Sequence, residues 1–594
     1  MYYYLWSGRD ATVGVGWSAF EIANGDRIWH KRSIMHMRRI RFSLFAAFVL
    51  LAGCRGAKST ESTTPDQPPA LPVSAQTVAR VHWLGMNQIS GKSNTAHLIA
   101  IWNLPETRRL ERQTLNKLSL APWPLLHRNV DTNAAALLQP LLDDLVADES
   151  CLEIRQTSNP PAELVLAIRL DDQRAALWQT NLARVLESLT GIHPVPAPEP
   201  DYGWSLKKHH DPNFLELTRV GGWTIVGAAQ DHNGLLDDLL ARIRQGQPPL
   251  PAGRANDWLA ADFDPARLAS CLTTFAPQLL GATNPAFVGE AGSTAWRGEA
   301  ERSRLNHLHL ALTGVGTNVW WRGTADFSKP LALDLKPWNV PTSLVNWNPS
   351  SFTMVRGFRP WLESSPVWTN LQIGPPPDQA CFWAAQDLQM QSCFTTPLAD
   401  ASNAVGRLAN RVLQNQQRWF GTNDLAKFET SKTFTGLEWK GLPYMSPFLR
   451  SITISNQSFV YGGGFLNANI YPLSAPWLQA ALGRTNLVYY DSEETGVRVE
   501  QWLYMGQYIR FILHKAQLPP QSPGLLWLRA IVPKLGDSVT DITQTGPNQL
   551  SFSRTSSLGF TAVELNLLAD WLESSRFPIG LYTLETPPMV SPWP

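Results

Sequence analysis

The chain has 594 residues, 44% of them hydrophobic and 17% charged, with a net charge of +1. That balance fits a folded globular body and excludes a disordered chain. It also excludes the strongly basic footprint of a nucleic-acid binder. Seven Lys/Arg and three Asp/Glu fall in residues 1–53, so the chain beyond them stands at about −3.

The most informative stretch lies near the start. Met37-Arg38-Arg39-Ile40-Arg41 is basic, Phe42 to Leu50 is apolar, and Leu51-Ala52-Gly53-Cys54 closes it with small residues and a cysteine. The apolar run is shorter than the roughly 20 residues that a membrane helix needs. It reads as a secretory signal with a cleavage site. The Leu-Ala-Gly-Cys ending resembles the lipobox of bacterial lipoproteins. The resemblance implies that Cys54 becomes the diacylated first residue of the mature chain, held in a membrane by its acyl chains. Arg55, in place of Asp, favours the outer membrane of a Gram-negative bacterium under the sorting rule of that family.

Residues 1–36 fit poorly before such a signal. They are read as an upstream extension, with translation starting at Met37 or Met35. The segments expected at this end are therefore the extension 1–36, the signal peptide 37–53 and a Ser/Thr/Pro-rich tether 54–78.

Beyond the tether, short apolar strands alternate with amphipathic helices. The expected strands include Leu98–Trp102, Leu164–Ile168, Trp223–Gly227, Trp258–Phe263, Ser351–Val355, Cys393–Thr396, Leu487–Tyr490 and Gly559–Val563. Helices should follow most of them: Asp171-Asp172 is the expected cap of one, Asp231 and Asp400 lead into two others, and Pro265 after Asp264 suits a first helical turn. Leu177, Trp178, Leu182, Val185, Leu186 and Leu189 mark one helix by their 3.6-residue period. Alternating runs at Leu305–Thr313, Asn318–Asp326, Ser451–Ser455 and Leu550–Ser553 read as antiparallel strands. The class is α+β: antiparallel sheet with packed amphipathic helices in tandem modules, expected at 79–255, 256–430 and 431–594. The layout is similar to large exported proteins of unknown function with repeated α+β modules.

Motifs for chemistry are sparse. Gly85 to Ser93 has five residues between its glycines, where a phosphate-binding loop has four. Ser205-Leu206-Lys207-Lys208 lacks the partner motifs of a serine–lysine hydrolase. His209-His210-Asp211 is the densest metal-like group, but adjacent residues on an extended segment face opposite ways. No metal or other cofactor is expected. Asp262 with Asp264, and Asp491 with Glu493 and Glu494, are carboxylate groups at strand ends. There they suit helix N-termini or, alternatively, acid–base work on a glycoside.

Of the five cysteines, Cys54 is assigned to the lipid. Cys381 and Cys393 are close enough in sequence for a local disulfide, and Cys151 with Cys271 is a more distant pair; alternatively all four are buried free thiols that behave as small hydrophobes. The 25 tryptophans, often beside Pro or Gly, serve either packing or sugar stacking. The reading is a non-catalytic, lipid-anchored envelope protein that presents a binding surface to a protein or glycan. The alternative is a carbohydrate-binding or glycoside-active protein.

Overall fold

A computed structural model describes residues 77–578, apart from 272–303 and shorter internal stretches. The signal segment, Cys54 and the tether up to 76 lie outside the described residues. Alternating apolar residues build twenty strands. The first ten are β1 Thr77–Trp83, β2 Ser150–Arg155, β3 Glu163–Arg169, β4 Val195–Pro196, β5 Gly203–Lys207, β6 Asn213–Val220, β7 Trp223–Gln230, β8 Leu259–Phe263, β9 Leu305–Val315 and β10 Asn318–Phe327. The second ten are β11 Pro349–Arg356, β12 Gln379–Ala385, β13 Ser392–Pro397, β14 Lys427–Thr430, β15 Gly436–Lys440, β16 Phe448–Ile454, β17 Gln457–Gly463, β18 Leu487–Glu494, β19 Asp537–Gly546 and β20 Gln549–Ser556.

Every pairing is antiparallel, and the strands join into one sheet. From one edge to the middle the order is β4-β5-β6-β7-β3-β2-β1-β8-β9-β10. From the other edge it is β14-β15-β16-β17-β13-β12-β11-β18-β19-β20. The two halves therefore share one topology and meet at the β10–β20 pair. Trp320 faces Thr555, Arg322 faces Ser553 and Thr324 faces Ser551. A pseudo-two-fold axis thus passes beside Arg322 and Ser553. Gly85 and Gly357 follow β1 and β11 with φ of 83° and 82°, which fixes the alignment of the halves. A side chain is excluded at Gly85, where a Cβ would lie 2.5 Å from the backbone carbon of Asp148. The pairing runs through the expected boundary at 255, since β8 bonds β1.

The helices are α1 Met86–Ser90, α2 Ala96–Trp102, α3 Pro105–Leu120, α4 Pro122–Leu125, α5 Thr132–Ala147, α6 Asp172–Thr190, α7 Gly234–Arg244, α8 Arg359–Glu363, α9 Ala401–Phe420, α10 Pro476–Leu482, α11 Thr495–Ile512, α12 Pro523–Ile531 and α13 Ala562–Glu573. The first sheet face is covered at its flanks by matching helices. Leu235, Leu236 and Leu239 of α7 pack on Cys151, Val165 and Ile225. Leu478 and Ala481 of α10 pack on Phe352, Met354, Cys381 and Trp383. On the opposite face Trp178 and Leu186 of α6 cover Ile154 and Ile168. There α11, α12 and α13 form their own apolar cluster with Ile101 and Leu110.

Most expected strands are present, and the class is α+β. Leu98–Trp102 is a correction: these residues form α2, because Thr95 and the Asn94 turn start a helix whose buried side is Ile101. Gly559–Val563 is a second. Thr561 there caps α13 in a capping box with Glu564, so the backbone turns into the helix at once. The third is Asp491–Glu494, which stay in β18; α11 begins only at Thr495.

Candidate functional site

The first sheet face carries a row of polar side chains that crosses seven adjacent strands. Glu153, Arg80, Asp262, His309, Thr324, Ser551 and Thr543 stand directly opposite one another in turn. Side chains paired this way share a face and come within contact of each other. The row is charged at one end and hydroxylated at the other.

Its charged end is closely bonded. Arg80 donates from Nε and Nη2 to Oε1 of Glu153 at 3.1 and 3.0 Å. Arg242, on α7, approaches Oε2 of the same carboxylate at 3.5 Å. One oxygen of Asp262 receives two imidazoles: His309 Nδ1 at 2.7 Å and His307 Nε2 at 3.5 Å. Beside a carboxylate each of those ring nitrogens carries its proton, which leaves His309 Nε2 as the remaining nitrogen of that ring. It is buried and has no hydrogen-bond partner. Burial alone would raise the Asp262 pKa. The hydrogen bonds and charge of the two histidines outweigh it and hold the carboxyl at about 2. His307 is raised above its ordinary value by its bond to Asp262, against the opposing effect of burial. At the pseudo-dyad, Arg322 donates to Asp257 at 2.5 Å and lies 4.9 Å over the Trp320 ring.

The second half supplies an internal control. Arg80 and Phe352 each precede the aligned glycine by five residues. Where Arg80 faces Glu153 and Asp262, Phe352 faces Trp383 and Ser492. Where His309 faces Asp262, Val539 faces Ser492. The same frame therefore folds with a mainly apolar row. The charges of the first half are not demanded by the topology, and buried ion pairs are weak stabilisers relative to apolar packing. This makes the Glu153–Arg80–Asp262–His309 row the candidate site.

The residues singled out from sequence divide sharply. Asp262 is at the centre of the row. Asp264 accepts from Arg267 N at 3.0 Å and acts as a helix cap. Glu493 accepts from Ala562 N at 2.8 Å, at the start of α13, and Glu494 accepts from Gln386 at 3.2 Å. Ser205 lies on β5, while Lys208 and His209–Asp211 fall outside the described residues. The group around Gly85 forms the tight entry to α1. The sequence reading missed His307 and His309. Their signal was present: His-x-His within an alternating strand puts both rings on one face. The Arg80–Glu153 pair has no local signature.

Cys381 and Cys393 correct another expectation. They occupy neighbouring strands, but Cys381 faces Thr395 and Cys393 faces Trp383. This diagonal relation sets the Cβ atoms roughly 7 Å apart, against about 3.8 Å in a disulfide. Both are buried free thiols, as are Cys151 and Cys271. Burial raises the pKa of the Cys381 and Cys393 thiols.

Among the described residues no group of three or more His, Cys, Asp and Glu side chains is arranged to hold a metal ion. No helix among them is long and apolar enough to cross a membrane. Seven described tryptophans are buried, and Trp361 is the exposed one at 46%. No family model, curated protein or solved structure matches the chain.

Proposed function

We propose that this is a lipid-anchored envelope protein whose body works by binding rather than catalysis. The observation that carries the reading is the run Leu51-Ala52-Gly53-Cys54 behind a basic and then apolar segment. Cys54 would carry the lipid, the stretch expected as a tether at 54–78 would link it to the body, with Thr77 and Val78 belonging to β1, and the outer membrane would hold the protein. The body is proposed to consist of two tandem α+β modules, 77–327 and 349–556, in place of the three expected.

A binding role is supported by how the carboxylates are used. Asp264 and Glu493 serve helix starts, and Asp262 is taken by two histidines. A row of exposed aromatic rings beside Asp262 or Glu493, the feature that would favour glycan work, is not found among the described residues. The partner would be an envelope protein or a glycan. The test is fractionation: the parent chain should sediment with membranes, while Cys54→Ala should be released to the soluble fraction or retain an unprocessed signal peptide. Equal, detergent-independent solubility of both proteins would overturn the reading.

A further inference from the structure

The opposite sheet face of the second half holds a second polar group, in which only Glu493 has a role described so far. Thr353 faces Asp491, Asp491 faces Thr540, Thr540 faces Arg554, and Glu493 faces Ser538. At the matching positions of the first half, Val81 faces Ala261, Ala261 faces Leu310, Leu310 faces Gly323, and Phe263 faces Leu308. The frame again folds with apolar residues at these positions.

Burial here is complete. Ser538, Thr540 and Ser556 are 0% exposed and Thr495 is 1% exposed. None of the four hydroxyls has a hydrogen-bond partner within the protein. A buried hydroxyl without a partner is costly, and four of them would consume much of a domain's stability. Ser538 and Thr540 are smaller than Leu308 and Leu310, which stand at the matching places of the first half. A cation is disfavoured. The N-termini of α11 and α13 both open here, with Ala562 N on Glu493, and helix N-termini repel positive charge. Water supplies donors and acceptors together and carries no charge.

We infer that this cluster is a binding site for ordered water, which joins the hydroxyls of Thr495, Ser538, Thr540 and Ser556 to one another and to the carboxylates of Asp491 and Glu493. The inference is independent of the anchor.

The test pairs a crystal structure of the full chain at about 1.5 Å with two variants. Density peaks about 2.7–3.2 Å from at least three of the four hydroxyls are expected. Thr540→Val keeps the shape and removes the hydroxyl. It should lower the thermal midpoint by roughly 1–3 °C, and Thr540→Ser should recover most of the loss. Hydroxyls turned onto backbone carbonyls with no peak between them would overturn the inference. So would a Thr540→Val midpoint equal to or above that of the parent. A single peak with six or more oxygens at about 2.3–2.6 Å would also overturn it, in favour of a hard cation.

Discussion

Replacing Asp262 with Asn should change stability in a way that depends on pH from both sides. Asp262 sits at about 2 in the folded body against an ordinary 3.8. A carboxylate lowered on folding contributes stability that is present above the ordinary value and lost as pH falls towards the folded one. The difference of just under two units corresponds to about 2 kcal/mol. His307 is displaced the other way, raised above 6.5 by Asp262, with Asp326 and Asp264 adding to the effect. Its contribution is complete below that value and is lost as pH rises through the higher folded one. The Asp262 shift itself depends on charged imidazoles, so both contributions coincide between about pH 4 and 6.5. Urea unfolding of the parent and of Asp262→Asn should be compared from pH 3 to 9. The parent should be more stable by about 2 kcal/mol near pH 5.5, and the gap should narrow at both ends. A constant difference, or one that widens above pH 8, would refute the reasoning.

Three further outcomes follow from the same row and from the thiols. Glu153→Gln removes the buried carboxylate that Arg80 and Arg242 share and should destabilise by about 3–5 kcal/mol. Arg80→Met combined with Glu153→Leu imitates the apolar row of the second half and should fall within about 1 kcal/mol of the parent; urea midpoints distinguish the two. In denaturant without reductant, thiol titration of the Cys54-acylated chain should count four cysteines, and a count of two would show a bridge and contradict the four free thiols.

Local patterns carried much of the fold into the sequence. The alternation in Leu305–Thr313 and Asn318–Asp326 is that of β9 and β10, and the leucine period after Asp171 is that of α6. Local signals failed where a tertiary partner decides the outcome. Leu98–Trp102 is apolar throughout, so periodicity cannot separate a short buried helix from a strand. The two-half arrangement was hidden because the halves share strand order and not side chains: Arg80 matches Phe352, and Leu310 matches Thr540. Of the site, Asp262 stood out by its position at a strand end. Its partners lie 45 and 47 residues away, and only strand pairing brings them together. Glu493 was read as the start of the next helix, but it caps a helix 69 residues further on.

The central claim is the anchor at Cys54, and mass spectrometry of the N-terminal peptide of protein extracted from membranes tests it most directly. The account predicts a peptide that begins at Cys54 and carries the mass of a diacylglyceryl group. An unmodified peptide that begins at Met1 or Met37 would contradict it.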